Sequence, residues 1–129
     1  MSFTCIELYI TDDPDFGCTI TFSDTKSEEY GDFNLTHEIF NPKEKYLTIQ
    51  RTYPEARYEN DYYHIETSET DTELGYLDKI LVYKLQDTLK IQWCGDEVLI
   101  RLKLEATEVN QLTKIIKTRF KEIIILIEQ

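Results

Sequence analysis

The stretch TLKIQWCGDEVLIRLKL, residues 88–104, decides the fold, because apolar and polar residues alternate on both sides of its glycine. Alternation with a period of two is typical of a strand that buries one face. A two-residue turn at Gly95 and Asp96 would bring the apolar residues of both halves onto that face. The pairs predicted from this turn are Cys94 with Glu97, Trp93 with Val98, Ile91 with Ile100, and Leu89 with Leu102. We therefore predict a β-hairpin here.

The apolar spacing changes after Glu105 to the three- and four-residue steps of an amphipathic helix, carried by Val109, Leu112, Ile115, Ile116 and Phe120. Thr107 is the candidate N-cap, and Glu108 suits the positive end of the helix dipole. Residues 123–127 contain four isoleucines, which favour a strand. The preceding pattern also allows the helix to continue through them, and we expect that it does.

Five further strands are predicted from alternation and from the turn residues between them. Their ranges are Ser2–Ile10, Gly17–Phe22, Lys45–Tyr53, Asp61–Glu66 and Leu77–Lys84, the last with apolar residues on both faces, as in a central strand. The first two form a hairpin around an acidic turn, and 23–43 and 67–75 are predicted to be loops. The fold class is therefore α+β: a mostly antiparallel β-sheet of about six or seven strands with a C-terminal amphipathic helix packed on one face, in a single domain spanning residues 1–129.

The charge of the chain is strongly one-sided. Residues 1–75 hold 17 Asp and Glu against 5 Lys and Arg, whereas residues 76–129 hold 8 against 9, and the net charge is −11. A negative field of this kind repels phosphate and attracts cationic surfaces. The expected partner is a basic protein surface, and neither nucleic acid nor a membrane is expected to bind.

The cysteines and the N-terminal residues predict a location in the cytoplasm. Cys5, Cys18 and Cys94 are odd in number and far apart, which favours reduced, buried thiols over disulfides. The first ten residues lack the layout of a secretory signal. No apolar run approaches the roughly 20 residues that span a bilayer.

Metal and catalytic signals are weak. Asp12, Asp13 and Asp15 precede Gly17, but the spacing does not match a calcium loop. His37 and His64 could contribute to a two-His-plus-carboxylate site only if they converge, and we expect ordinary surface roles for both. The chain has no phosphate-binding glycine loop and no exposed nucleophile turn. We expect neither a cofactor nor an enzyme, although a hydrolase that uses unrecognised carboxylates stays as an alternative.

The acidic segments are interleaved with aromatic residues, a combination found at tight protein interfaces. An ordinary solvated surface is the simpler interpretation of the same residues. The candidate partner-binding residues are Asp12, Asp13, Asp15, Glu28, Glu29, Tyr30, Asp32, Phe33, Tyr62, Tyr63, Glu66, Glu69, Asp71 and Glu73.

A resemblance to a known family rests on the segment YLTIQR at residues 46–51, on Tyr62–Glu66, on the acidic stretch up to Gly75, on the residue 89–104 hairpin and on the closing helix. In these parts the sequence resembles the immunity protein 10 family. The similarity covers roughly residues 3–121, but residues 23–43 do not match and residues 123–129 form an extension. It implies a bacterial protein of polymorphic toxin systems that binds and neutralises a toxin domain encoded nearby. Many such toxins are nucleases with basic clefts. Arg51 of this segment is expected to pair with a carboxylate, and a general protein-binding domain is the alternative function.

Overall fold

A computed structural model describes residues 1–26, 44–54, 61–75 and 77–129, and it contains ten β-strands and one α-helix in these ranges. The predicted α+β class is confirmed, with more strands than expected. The strands are β1 Ser2–Cys5, β2 Glu7–Asp13, β3 Gly17–Ser23, β4 Tyr46–Thr52, β5 Tyr62–Thr67, β6 Asp71–Leu74, β7 Ile80–Leu85, β8 Thr88–Trp93, β9 Asp96–Leu102 and β10 Ile124–Glu128, and the helix is α1 Ala106–Arg119.

The strands form two five-stranded sheets. The antiparallel sheet has the order β2-β3-β4-β5-β6, so each strand pairs with its sequence neighbour. The mixed sheet has the order β1-β9-β8-β7-β10, in which β1 runs parallel to β9 and β10 runs parallel to β7. The strand predicted at 77–84 corresponds to β7, which lies between β8 and β10. The middle strand of this sheet is β8.

The β8–β9 hairpin is present, but its predicted register is wrong by two residues. Trp93 pairs with Asp96, so that Ile91 faces Val98 and Leu89 faces Ile100. The turn residues are Cys94 and Gly95, whose φ angles are 42° and 86°. Two-residue hairpin turns of type I′ require positive φ at both central positions, and the structure meets this requirement with Cys94 and Gly95. A shift of two residues keeps every side chain on its predicted face.

The first predicted strand is divided into β1 and β2. The amide of Ile6 donates to the Ser23 carbonyl at 2.9 Å, on the side of the antiparallel sheet. One residue earlier, the Cys5 carbonyl accepts from the amide of Lys103 at 2.9 Å, on the side of the mixed sheet. The chain thus passes from one sheet to the other at this point. This change of partner explains why an unbroken alternating segment forms two strands.

Three other expectations need correction. Residues 71–74, predicted to be loop, form β6. The N-cap of α1 is Glu105 and not Thr107, and the Glu105 amide donates to the Glu108 carboxylate at 3.3 Å. The helix does not continue through residues 123–127, because it ends at Arg119 and β10 follows. The Ile80 amide donates to the Ile123 carbonyl at 2.8 Å, which starts the parallel pairing with β7.

One buried cluster joins the inner faces of both sheets to the helix. Phe22, Ile49 and Ile65 come from the antiparallel sheet, while Ile91 and Trp93 come from the mixed sheet. The helix adds its own apolar positions, Leu112 and Ile116, and Phe120 follows them. The core therefore depends on contacts between segments that are distant in sequence.

The cysteines are all free, as predicted, but only two of them are buried. Cys5 and Cys18 lie in the core, and burial raises the pKa of each thiol to about 11. Cys94 is exposed because the hairpin turn places it beyond the sheet. The expectation of three buried cysteines is wrong at this position.

Within the described ranges, the structure has no helix with the length and apolar character that crossing a membrane requires.

Candidate docking face of the antiparallel sheet

The antiparallel sheet turns one side away from the core, and we call this side the acidic face. Successive side chains of a strand point to opposite sides of a sheet. Because Ile20, Ile49 and Ile65 are buried, their strand neighbours point outward. The outward positions are Glu7, Tyr9, Thr11, Asp13, Thr19, Thr21, Tyr46, Thr48, Gln50, Thr52, Tyr62, His64, Glu66, Asp71 and Glu73. These positions include five carboxylates and neither Lys nor Arg.

The β5–β6 hairpin carries the densest part of the acidic face. Glu66 lies directly opposite Asp71, and His64 lies opposite Glu73. The turn between them exposes Glu69. Four of the predicted binding residues, Glu66, Glu69, Asp71 and Glu73, are therefore brought together by this hairpin.

Threonine side chains hold the hairpin turn in place. The Thr67 hydroxyl accepts from the amides of Glu69 and Thr70 at 3.0 and 2.9 Å. The Thr67 amide also donates to the Thr70 carbonyl at 2.8 Å. Short side-chain-to-backbone bonds of this kind fix a tight turn locally. The backbone of the turn, from which Glu69 projects, is therefore held in a defined conformation.

Two polar contacts organise the acidic face around Glu66. His64 Nε2 lies 2.6 Å from Asp71 Oδ1. The Tyr46 hydroxyl donates to Glu66 Oε2 at 2.7 Å. Burial and then this hydrogen bond raise the pKa of Tyr46 from its ordinary value near 10 to about 12, so the phenol remains a donor further into the alkaline range.

Among the residues that the structure describes, no lysine or arginine forms an ion pair with the acids of the β5–β6 hairpin. Five cations of the described ranges pair with other acids: Arg51 with Asp61, Lys90 with Glu97, Arg101 with Asp87, Lys117 with Glu128, and Arg119 with Asp12. The negative charge of the hairpin part of the acidic face is therefore not offset by lysine or arginine of the described ranges. A surface of this kind raises the encounter rate with a positively charged partner.

The β2–β3 turn places the other acidic candidates at the opposite end of the same sheet. Asp13 and Asp15 are exposed, and the Asp15 amide donates to Asp13 Oδ1 at 2.9 Å. Asp12 faces the other side of the sheet, where its carboxylate accepts from Arg119 Nε at 2.8 Å. Seven strand residues separate the two ends by about 20 Å. The structure thus does not bring Asp12 together with the hairpin acids.

The aromatic candidates differ in exposure. Tyr62 lies on the acidic face and is 64% exposed. Tyr63 lies on the inner side, packed against the core, with its ring centroid 5.9 Å from the Arg51 guanidinium. Phe16, which the sequence analysis did not select, is 74% exposed in the β2–β3 turn. In the sequence, the one indication that Phe16 could contact a partner was its position in the Asp-rich turn.

The described residues do not include five of the candidate partner-binding residues, Glu28, Glu29, Tyr30, Asp32 and Phe33, nor His37.

A groove of about 260 Å³ runs along the β4–β5–β6 part of the acidic face. Gln50, Tyr62, His64 and Glu73 contribute to its walls. These groups can form hydrogen bonds and stack on an incoming side chain. His64, Glu66 and Asp71 also form a set of donor atoms that could hold a metal ion.

Comparison of the chain with models of protein families, with curated proteins and with solved structures found no match.

Proposed function

We propose that this chain is a cytoplasmic immunity protein that binds a bacterial toxin domain stoichiometrically and blocks it through the acidic face. The proposal takes the class of partner from the resemblance to the immunity protein 10 family. The observation that supports the mode of binding is the acidic face itself, which carries carboxylates without lysine or arginine. No catalytic step is required of the chain.

The β5–β6 hairpin is the proposed centre of the contact. Glu66, Glu69, Asp71 and Glu73 supply the attraction, because oppositely charged surfaces orient the partners before they touch. Tyr62 adds a large exposed ring beside them. Tyrosine is enriched among the residues that dominate interface affinity, since it buries apolar area and keeps one hydrogen-bonding group. A toxin with a basic substrate cleft would offer the complementary surface.

Co-expression with the toxin domain encoded beside this gene tests the proposal. We expect growth to be restored and a stable one-to-one complex to form. A toxin that stays active in the presence of the folded chain, with no complex at micromolar concentration, would contradict it. A complex without protection would favour the general protein-binding alternative.

A matched pair of double variants tests the acidic face. Glu69→Lys with Glu73→Lys changes two exposed acids of the hairpin region, and Asp96→Lys with Glu122→Lys changes two exposed acids elsewhere. Both pairs raise the net charge equally. We expect the first pair to slow association by about 10-fold or more at low salt and to flatten its salt dependence, and the second to have a much smaller effect. Equal effects of the two pairs would remove the hairpin from the proposed interface.

A further inference from the structure

The register of β5 and β6 places three metal-ligating side chains on one side of the sheet. His64 and Glu66 are two residues apart on β5, so they point the same way, and Asp71 lies directly opposite Glu66 on β6. One donor atom from each of the three residues lies within 4.8 Å of the other two. This arrangement is set by the strand pairing and does not depend on a long loop.

The distances between the donor atoms are close to the distances between ligand atoms that bind one metal ion. Zinc ligands bind at about 2.0–2.2 Å, so two ligands of one ion lie about 3–3.6 Å apart. The contact of 2.6 Å between His64 Nε2 and Asp71 Oδ1 would open by roughly 0.5–1 Å, and any separation near the 4.8 Å limit would close. Side-chain rotation alone covers such changes. The ion would lie between His64 Nε2 and Asp71 Oδ1, which already face each other across the two strands.

The groups around the three residues support ligation by them. The Tyr46 hydroxyl donates to Glu66 Oε2, which orients this carboxylate as outer-shell partners of metal ligands do. None of the three residues pairs with Lys or Arg within the ranges that the structure describes. An incoming cation therefore meets no internal competitor among those residues.

We propose that His64, Glu66 and Asp71 form a binding site for a divalent transition-metal ion of the Zn²⁺ class. Imidazole favours zinc over calcium and magnesium, and the two carboxylates complete a three-ligand set with room for water or a partner side chain in the fourth position. The proposal does not depend on the proposed function, since the ion binds to the isolated chain.

Calorimetric titration of the full chain with Zn²⁺, and with Mg²⁺ as the comparison ion, tests the site. All titrations use a chain that carries Cys94→Ser and His37→Gln, because these substitutions remove the exposed thiol and the other histidine as competing ligands. We expect one equivalent of Zn²⁺ to saturate the chain at micromolar concentration and Mg²⁺ to bind far more weakly. His64→Gln is expected to weaken Zn²⁺ binding at least about 100-fold, and Tyr46→Phe by about 10-fold.

Glu69→Gln is the matched control, because it removes one exposed carboxylate of the same hairpin without removing a proposed ligand. We expect it to change the affinity less than 3-fold. Circular dichroism of each variant without metal verifies that it is folded. The absence of saturable binding below about 100 μM Zn²⁺, unchanged affinity in folded His64→Gln, or equal losses in His64→Gln and Glu69→Gln would each overturn the proposal.

Discussion

Arg51 joins the antiparallel sheet to the end of the helix, and its replacement should destabilise the fold. Its Nε and Nη2 atoms both lie 2.5 Å from Asp61 Oδ2, and Nη1 donates to the Arg119 carbonyl at 2.6 Å. Its guanidinium also lies 5.0 Å from the centroid of the Tyr53 ring. Burial is the largest single influence and would lower the pKa of Arg51, but the hydrogen bond to Asp61 and the electrostatic interactions with Tyr63, Asp61 and Tyr53 together outweigh it, and the pKa is raised. The charged form is therefore the one that the folded state favours.

The expected loss can be estimated for Arg51→Met, which keeps the aliphatic stem and removes the charge. Hydrogen bonds to charged groups contribute about 1.5–3 kcal/mol each. The side chains of Arg51 and Asp61 are 22% and 24% exposed, so water replaces part of what is lost. We therefore expect the free energy of unfolding to fall by about 2–3 kcal/mol, which corresponds to about 8–12 °C in Tm for a chain of this length.

Urea unfolding followed by circular dichroism measures this loss, and a double-mutant cycle with Asp61→Asn isolates the pair. We expect a coupling of about 1–2 kcal/mol for the Arg51–Asp61 pair. Lys90 and Glu97 form the control pair, since their side chains are 45% and 47% exposed and their N···O distance is 3.4 Å, and their coupling should be clearly smaller. A loss below about 1 kcal/mol for Arg51→Met, or equal coupling in the two pairs, would refute this account.

Three further predictions concern the backbone, the thiols and alkaline stability. Gly17→Ala should lower the free energy of unfolding by at least about 2 kcal/mol in urea, because the φ of Gly17 is 153° and a Cβ there would lie 2.1 Å from a backbone oxygen of β4. A thiol reagent should modify Cys94 alone in the native protein, and Cys5 and Cys18 only after unfolding, since both are buried. The pKa of Tyr46 is raised in the folded state to about 12, from an ordinary value near 10. The protonated phenol therefore contributes stability that is fully present below pH 10 and is lost as the pH rises toward 12. Tyr46→Phe should make the loss of stability at alkaline pH less steep.

Each of these predictions has a control. Gly95→Ala places a Cβ at φ 86° in open space, so it should cost less than Gly17→Ala, and equal losses would show that crowding is not the cause. Cys94→Ser should abolish the reaction of the native protein with the thiol reagent, and a persisting reaction would mean that a core thiol is accessible. A Tyr46→Phe variant that loses stability as steeply as the parent above pH 10 would contradict the role of the Tyr46 phenol.

Local patterns predicted the faces of the strands better than their partners. Alternation identified the buried side of the residue 88–104 hairpin correctly, although the turn was placed one position too late. The choice between Gly95–Asp96 and Cys94–Gly95 depends on φ angles, and a cysteine at positive φ is unusual enough that composition favours the wrong turn. A register shift of two residues leaves the faces unchanged, so the hydrophobic pattern could not detect the error.

Long-range pairing decided the elements that the sequence analysis missed. Residues 124–128 become a strand because they lie parallel to β7, more than 40 positions earlier in the chain. β6 consists of Asp71–Leu74, whose acidic composition is typical of a loop, and only its pairing with β5 makes it a strand. The same pairing brings Asp71 to Glu66 and His64. Clustering of these side chains could not be predicted before the partner strand of β5 was known.

Trp93 provides an intrinsic optical reporter of the mixed sheet. It is the single tryptophan of the chain, it is 2% exposed, and its indole Nε1 has no hydrogen-bond partner among the described residues. Its emission should therefore shift to longer wavelength when the core opens, because water then reaches a ring that was shielded by apolar neighbours. Ligands that occupy the acidic face of the other sheet should leave this emission unchanged, so fluorescence can separate loss of folding from loss of binding in every variant described above.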